Sequence, residues 1–209
     1  MKVKTHYPDW WQNAKISISE RDEVMKGLIS KFSDSKLSSL RNPFFSLSKS
    51  IVGQQISVAA ASAIWKRLEN KYDIKKGCCF SKNDLHNLRT IGLSERKSLY
   101  LINLSKSLKN SNDFNFWKDL NDEKIFSILI NFKGIGPWSI KMFLIFCLNR
   151  PDVFSIEDLG LLKAVQKNYF KGQNLDKDKI EKFSFRWKPY RTLASWFLWR
   201  SIDPETIVY

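Results

Sequence analysis

Histidine and cysteine are scarce in this chain of 209 residues, which has two His and three Cys. Cys78, Cys79 and Cys147 cannot build a disulfide framework and form no CxxC pair, so reduced thiols are expected. Neither His6 nor His86 sits in a metal-binding pattern, which removes the usual candidates for zinc chemistry and for a His-dependent nucleophile. Long hydrophobic runs are also missing. The longest, Met142 to Leu148, falls far short of the ~20 residues that a membrane-spanning helix needs. The N-terminal MKVKTHYPDWWQ has no apolar h-region or small-residue cleavage site, so the expected compartment is the cytosol, at the nucleoid if the source is bacterial. Acidic residues are in deficit: 21 Asp and Glu face 35 Lys and Arg, a net charge of +14.

Apolar residues make up 43% of the chain and aromatics 14%, with eight Trp, enough for a sizeable core in one domain or one domain folded as two lobes. The positive excess points to a polyanion, because each Lys or Arg that neutralises a phosphate releases counterions. Charge alone leaves a second explanation open, since a nucleotide-biased genome can impose a composition rich in Lys, Asn, Ile and Phe. Apolar residues recur every three or four positions and no segment sustains period-two alternation, so the chain reads as all-α. The first expected helix covers Glu20–Phe32, with Val24, Leu28, Ile29 and Phe32 on one face. A second starts at Asn42-Pro43, where proline suits the first turn. Others cover Val58–Tyr72, Lys82–Arg89, Glu95–Lys109, Asp122–Asn131, Pro137–Leu148, Glu157–Tyr169, Lys177–Phe185 and Tyr190–Ser201, with loops at Lys75–Ser81, Asn110–Asn115, Asn149–Ser155 and Lys171–Asp176.

Between two apolar helices lies Phe132-Lys-Gly-Ile-Gly-Pro-Trp138. Gly134 and Gly136 flank Ile135, a spacing that permits a tight turn while Ile135 plugs inward and Pro137 opens the next helix. Such a helix-hairpin-helix leaves backbone N–H groups at a helix N-terminus, where a phosphate is well accommodated. A plain connector between packed helices is the alternative. The apolar residue between the glycines, the proline after them and the apolar helix on each side favour phosphate binding.

Asp158 stands 22 residues after Gly136 in Asp152-Val-Phe-Ser-Ile-Glu-Asp-Leu-Gly160. A helix of about a dozen residues at ~1.5 Å each, then an extended return, would carry Asp158 back toward the hairpin end. Ser155-x-x-Asp158 also fits a capping box with Ser155 as N-cap. Asp152 and Glu157 are nearby carboxylates, and spacing does not choose among the three.

At these residues the sequence resembles the helix-hairpin-helix DNA glycosylase superfamily, and within it the 3-methyladenine DNA glycosylase II type. Four stretches carry the resemblance: Ile51-Val-Gly-Gln-Gln-Ile-Ser-Val-Ala-Ala60, Gly134-Ile-Gly-Pro-Trp-Ser-Ile140, Asp152 to Gly160, and Arg186-Trp-Lys-Pro-Tyr-Arg191 with Ala194 to Trp199. They span roughly residues 42 to 203 in the family's order. The resemblance implies a two-lobed helical fold with a cleft between the lobes. One lobe covers residues 43–137, the other residues 1–42 and 149–209, and the hairpin about 122–148. The roughly 40 residues before the first motif leave no room for the extra N-terminal α/β domain of some relatives, so the short form is expected.

The same resemblance makes Asp158 the catalytic carboxylate and Gln55 the residue that intercalates into DNA, with Gln54 beside it. It places Trp138, Trp199 and Leu159 at the base pocket, with Phe44, Phe45, Met142 and Tyr190 as secondary candidates. Gly134, Ile135, Gly136, Ser139 and Lys141 would face DNA. The nucleophilic Lys of bifunctional relatives is replaced by Trp138, implying hydrolysis of the N-glycosidic bond of alkylated purines without strand cleavage. The four-Cys iron–sulfur loop of some branches is missing, so no cluster or organic cofactor is expected. Backbone carbonyls of Ile130, Phe132 and Ile135 are candidates for a monovalent cation, and double-stranded DNA bound by a monomer is the expected partnership. A non-catalytic DNA-binding module, or a glycosylase of the same fold for deaminated or oxidised bases, are the alternatives.

Overall fold

The computed structural model describes residues 5–77 and 79–203. Among them are twelve α-helices, three short 3-10 turns and no β-strand, in agreement with the all-α reading. No helix among the described residues is long and apolar enough to cross a membrane. Among the described residues the chain divides into two compact units, one holding residues 39–148 and the other residues 6–38 and 149–203.

The first unit contains α3 (Pro43–Gly53), α4 (Val58–Lys71), α5 (Leu85–Thr90), α6 (Glu95–Leu108), α7 (Phe114–Lys118), α8 (Asp122–Leu129) and α9 (Pro137–Phe146). Short polar side chains start most of these helices by accepting a bond from an otherwise unpaired backbone N–H: Asn42 for α3, Ser57 for α4, Ser94 for α6, Asp113 for α7 and Asn121 for α8. Helices α3 and α9 pack on each other and form the centre of the unit. Both are apolar nearly all round, with Phe44, Leu47 and Ile51 of α3 and Ile140, Phe143 and Ile145 of α9 all fully buried. Cys147 is buried here and its thiol is pushed up by desolvation, so it stays protonated and unreactive.

The second unit contains α1 (Trp11–Arg21), α2 (Glu23–Lys31), α10 (Leu159–Tyr169), α11 (Lys177–Ser184) and α12 (Arg191–Ile202). Every residue of α12 from Thr192 to Trp199 is buried, and α1, α2 and α10 pack around it. Asp22 caps α2 through Met25 N–H at 3.0 Å and is itself buried. Trp187 Nε1 at 2.9 Å and the Tyr169 hydroxyl at 3.0 Å also donate to it, so this buried carboxylate is well supplied with hydrogen bonds. Desolvation, and after it the adjacent Asp22 charge, drives the Tyr169 hydroxyl well above its ordinary range.

Two expectations are corrected. The helix expected over Glu20–Phe32 is interrupted at Asp22, whose extended backbone ends α1 and whose side chain begins α2. The inward face of α2 is Met25 and Ile29, while Val24 is exposed. The expected Asn110–Asn115 loop gives way at Phe114 to the short α7, which buries Trp117 with its Nε1 bonded to Ser111 O at 2.7 Å.

On α3, the Lys49 ammonium lies over the rings of Phe45 and Trp65 at 5.7 and 5.4 Å. Burial pulls its pKa down to about 8, an effect opposed by Glu69 and reinforced by Lys75. Below about pH 8 the lysine is charged in folded and unfolded chains alike, and folding bears the full desolvation cost. Between pH 8 and about 10.4 only the unfolded chain holds the proton, so this cost is relieved as pH rises. Lys49→Met is therefore expected to be more stable than wild type at pH 7 by about 1–2 kcal/mol once screening is allowed for. The difference should shrink toward pH 10, as read from urea unfolding of both proteins across that range.

Candidate active site

The hairpin joins α8 to α9. Ile135 is 5% exposed and its N–H donates to Phe132 O at 3.0 Å, so it plugs the turn as its position suggested. Gly134 has φ +88, and a Cβ there would collide with the Tyr100 ring, so this glycine is required by backbone and by space. Gly136 differs: its backbone is extended, and a Cβ would meet nothing within 4 Å. Nothing inside the protein demands a glycine there. A bare backbone at the N-cap of α9, where no side chain caps the helix, is what close approach of a phosphate needs. The carbonyls of Ile130, Phe132 and Ile135 are oxygen donors of the type that suit a monovalent cation, and that of Phe132 already accepts one hydrogen bond.

The loop after α3 is tied to this hairpin. Gln54 Nε2 donates to Gly134 O at 2.8 Å and to Ser139 Oγ at 3.0 Å. Lys97 Nζ, reaching from α6, donates to Val52 O at 2.8 Å and Gln54 O at 2.6 Å, holding the carbonyl end of α3. Burial lowers the Lys97 pKa. Gln55 follows in a left-handed conformation, φ +56, and is exposed together with Ile56. An unbranched polar residue held at positive φ at a loop tip is a strained projection that its surroundings must sustain. Of the two glutamines, Gln55 projects and Gln54 is a strut. Ser139, assigned to DNA contact by resemblance, is 1% exposed, because its hydroxyl receives that strut. Ile56 is an exposed apolar neighbour of the tip that the sequence reading passed over.

In the second unit, Asp158 is itself the N-cap of α10. Its Oδ1 accepts Leu161 N–H at 2.7 Å and Trp199 Nε1–H at 3.1 Å. The capping box based on Ser155 is overturned: the Ser155 hydroxyl donates to Glu157 at 2.9 Å, and the cap lies three residues later. The geometry also separates the three carboxylates. Asp152 is held by Arg191 through Nε at 2.7 Å and Nη2 at 2.9 Å, a bidentate structural pair. Thr192 Oγ1 stitches the same segment, donating to Arg150 O at 2.6 Å and accepting Val153 N–H at 3.0 Å. Arg191 and Thr192 thus fix the strap that delivers Asp158 to the start of α10. Leu159, beside it, is 64% exposed, an apolar side chain left in front of a carboxylate. Gly160 lies so close that a Cβ there would sit 3.2 Å from Asp158 Oδ1.

The remaining candidates divide by burial. Trp138 is half-buried at the start of α9, whereas Trp199 is 7% exposed and engaged with Asp158. Tyr190 is half-buried and stacks on Trp10 at 6.1 Å, with Trp10 Nε1 anchored on Asn149 O. Phe44 and Met142 are core residues at 0% and 2% exposure, as is Phe45, so their large apolar side chains serve packing. Lys141 is half-buried on α9. Among the described residues no cluster of His, Cys, Asp or Glu could hold a metal ion.

Described residues that are all helical, with a Gly-Ile-Gly hairpin and a helix-capping aspartate downstream, make this a helix-hairpin-helix protein. Comparison with known proteins agrees. Residues 48–189 match the family described as HhH-GPD superfamily base excision DNA repair protein, and the chain belongs to that family. The Bacillus subtilis protein YfjP is 31% identical over 74% of this chain and 57% of its own length. The DNA-3-methyladenine glycosylase of Saccharomyces cerevisiae is 31% identical over 80% of this chain and 69% of its own length. Among solved structures, the Schizosaccharomyces pombe 3-methyladenine DNA glycosylase in complex with abasic DNA has a TM-score of 0.77 at 26% identity, covering 93% of this chain and 99% of that one. The Bacillus halodurans DNA-3-methyladenine glycosidase has a TM-score of 0.67 at 29% identity, covering 96% and 93%.

Proposed function

We propose that this protein is a monofunctional DNA glycosylase of base excision repair that releases alkylated purines, of the 3-methyladenine and 7-methylguanine type, from duplex DNA. The observation that carries the reading is Asp158, held at the N-terminus of α10 by Leu161 N–H and the Trp199 indole while Asp152 and Glu157 are engaged with Arg191 and Ser155. A damaged base must leave the stack before its glycosidic bond can be reached. Gln55, on its strained loop tip, fills the gap as the base leaves, and the hairpin N–H groups at Gly136 hold a backbone phosphate. The C1′–N bond breaks with its electron pair going to the base, which starts cationic and departs neutral. The sugar becomes an oxocarbenium-like cation that the Asp158 carboxylate stabilises. Water adds to C1′, its proton is taken up by Asp158 or solvent, and an abasic site remains.

A base already positively charged lessens the need for a general acid, and it is attracted to the indole face of Trp138. With Trp138 where a Schiff-base lysine would stand, no strand cleavage follows. The carbonyls of Ile130, Phe132 and Ile135 would hold a monovalent cation that stiffens the hairpin. The enzyme works as a monomer in the compartment that holds the chromosome, since one lesion requires one site.

Incubation with methylated duplex DNA should release free 3-methyladenine and 7-methylguanine and leave strands intact until base is added. DNA binding without base release refutes catalysis, and nicking without added base refutes the monofunctional assignment. Trp199→Phe keeps an aromatic ring but loses the donor to Asp158. It is expected to lower kcat about tenfold, the worth of one hydrogen bond to a charged group, with duplex affinity unchanged. In the Asp158→Asn background the same substitution should cost much less, because the carboxylate it positions is gone.

A further inference from the structure

Beside α12 in the second unit lies a cavity of about 630 Å³, lined by none of the catalytic or hairpin residues described above, whose lining includes Lys31, Phe32, Asp34, Ser35, Lys36 and Arg200. Arg200 is its unusual member. Its Nε and Nη1 are buried and make no hydrogen bond, and no ion pair reaches it among the described residues. The contact it does have is the Phe32 ring, 5.6 Å from its Cζ, and Lys31 Nζ lies over the same ring at 5.4 Å. A guanidinium cannot shed its proton, so this is a permanent, largely desolvated charge sharing its aromatic support with a second cation. Ser35 Oγ accepts Trp196 Nε1–H at 2.9 Å, which fixes the hydroxyl and leaves its proton for an incoming acceptor. The lining therefore sets three cations and a hydroxyl donor against one carboxylate, Asp34.

We propose that this cavity is a phosphate-binding site, in which the phosphate oxygens are held by the Arg200 guanidinium, the Lys31 and Lys36 ammonium groups and the Ser35 hydroxyl. An anion of that kind supplies what the internal structure withholds from Arg200, and a planar guanidinium with spare N–H groups suits tetrahedral oxyanions. The cavity is larger than a lone phosphate, so a phosphate carried on a sugar enters as well. The inference does not depend on the glycosylase reading, because it uses neither Asp158 nor the hairpin. Asp34 is the internal competitor: if it swings onto Arg200, the site is closed.

The test uses the intact protein. At constant ionic strength, replacing chloride by inorganic phosphate at about ten times its dissociation constant is expected to raise the thermal midpoint by about 3 °C. Arg200→Gln should abolish the rise and Asp34→Asn should enlarge it. If Arg200→Gln does not fold, Lys31→Gln combined with Lys36→Gln, both exposed, should reduce the rise without touching α12. A second arm separates the sources of phosphate. When the site grips a DNA strand, the variant that loses the rise lowers the salt dependence of undamaged duplex binding by about one unit of log–log slope. When it takes a free phosphate-bearing ligand, the slope is unchanged and the rise persists in wild type alone. The proposal is overturned if the midpoint is the same in phosphate and chloride and the slope does not change. It is also overturned if Asp34→Asn lowers the midpoint in chloride and no phosphate response exists, since Asp34 is then the partner of Arg200.

Discussion

Asp158→Asn is expected to reduce release of 3-methyladenine from methylated duplex DNA by about a thousandfold, the scale on which loss of one electrostatic stabiliser of a charged transition state is felt. Affinity for undamaged duplex should remain within about twofold, because the bonds that hold hairpin and loop, from Gln54 and Lys97, do not involve Asp158. The substitution isolates charge with unusual cleanliness. Asparagine caps a helix as well as aspartate does, and its carbonyl oxygen accepts Leu161 N–H and Trp199 Nε1–H from the same place. Asp158→Ala would lose the cap as well, about 1 kcal/mol of stability, and so mix folding with chemistry. Single-turnover base release together with a thermal midpoint for Asp158→Asn checks the assignment. Undiminished release sinks it.

The second large effect concerns the hairpin. Gly134→Ala places a Cβ against the Tyr100 ring at a φ of +88, combining a steric clash with backbone strain. Together these are expected to cost about 2–4 kcal/mol, which lowers the thermal midpoint by roughly 5–10 °C in a chain of this size, and to weaken duplex binding. Tyr100→Ala in the same chain removes the ring but leaves its own Cβ 2.9 Å from the new one, so it should recover only part of the stability and none of the strain. Gly136→Ala should behave in the opposite way. With open space at its Cβ and an extended backbone, it leaves the midpoint within about 1 °C, yet it obstructs the approach of a phosphate and weakens duplex binding. Two glycines one residue apart are thus expected to separate, one affecting folding and the other duplex binding.

That separation was not legible from sequence, where both read as turn residues. What was legible had a strong local cause. Asn42 before Pro43, the serines before α4 and α6, and the Gly-Ile-Gly-Pro turn each signal through their own backbone preferences. Helix α1 was missed although Trp11, Ala14 and Ile18 bury one face, because Lys15, Glu20 and Arg21 dilute a stripe of only three buried residues. Asp22 was legible only in part: its cap on Met25 N–H is a local bond three residues on, whereas receiving Tyr169 and Trp187 depends on residues 147 and 165 positions away. The same holds for Asp158. Spacing left it level with Asp152 and Glu157, and only the fold shows Arg191 holding Asp152 and the Trp199 indole donating to Asp158. Trp199 was placed at the base pocket by resemblance alone, and nothing in the sequence signalled that its N–H donates to Asp158.

The strut at Gln54 has a mechanical consequence. Because its amide is bonded to Gly134 O and Ser139 Oγ, and Lys97 fastens the same loop to the end of α3, the tip at Gln55 cannot retreat while the hairpin stays seated. Tip and hairpin behave as the two jaws of a fixed gauge. In the function proposed above, such a gauge would set a constant distance between the phosphate at Gly136 and the step met by Gln55, so that every base pair would be interrogated at the same depth. A stacked, paired base resists the gauge and a loosened one gives way.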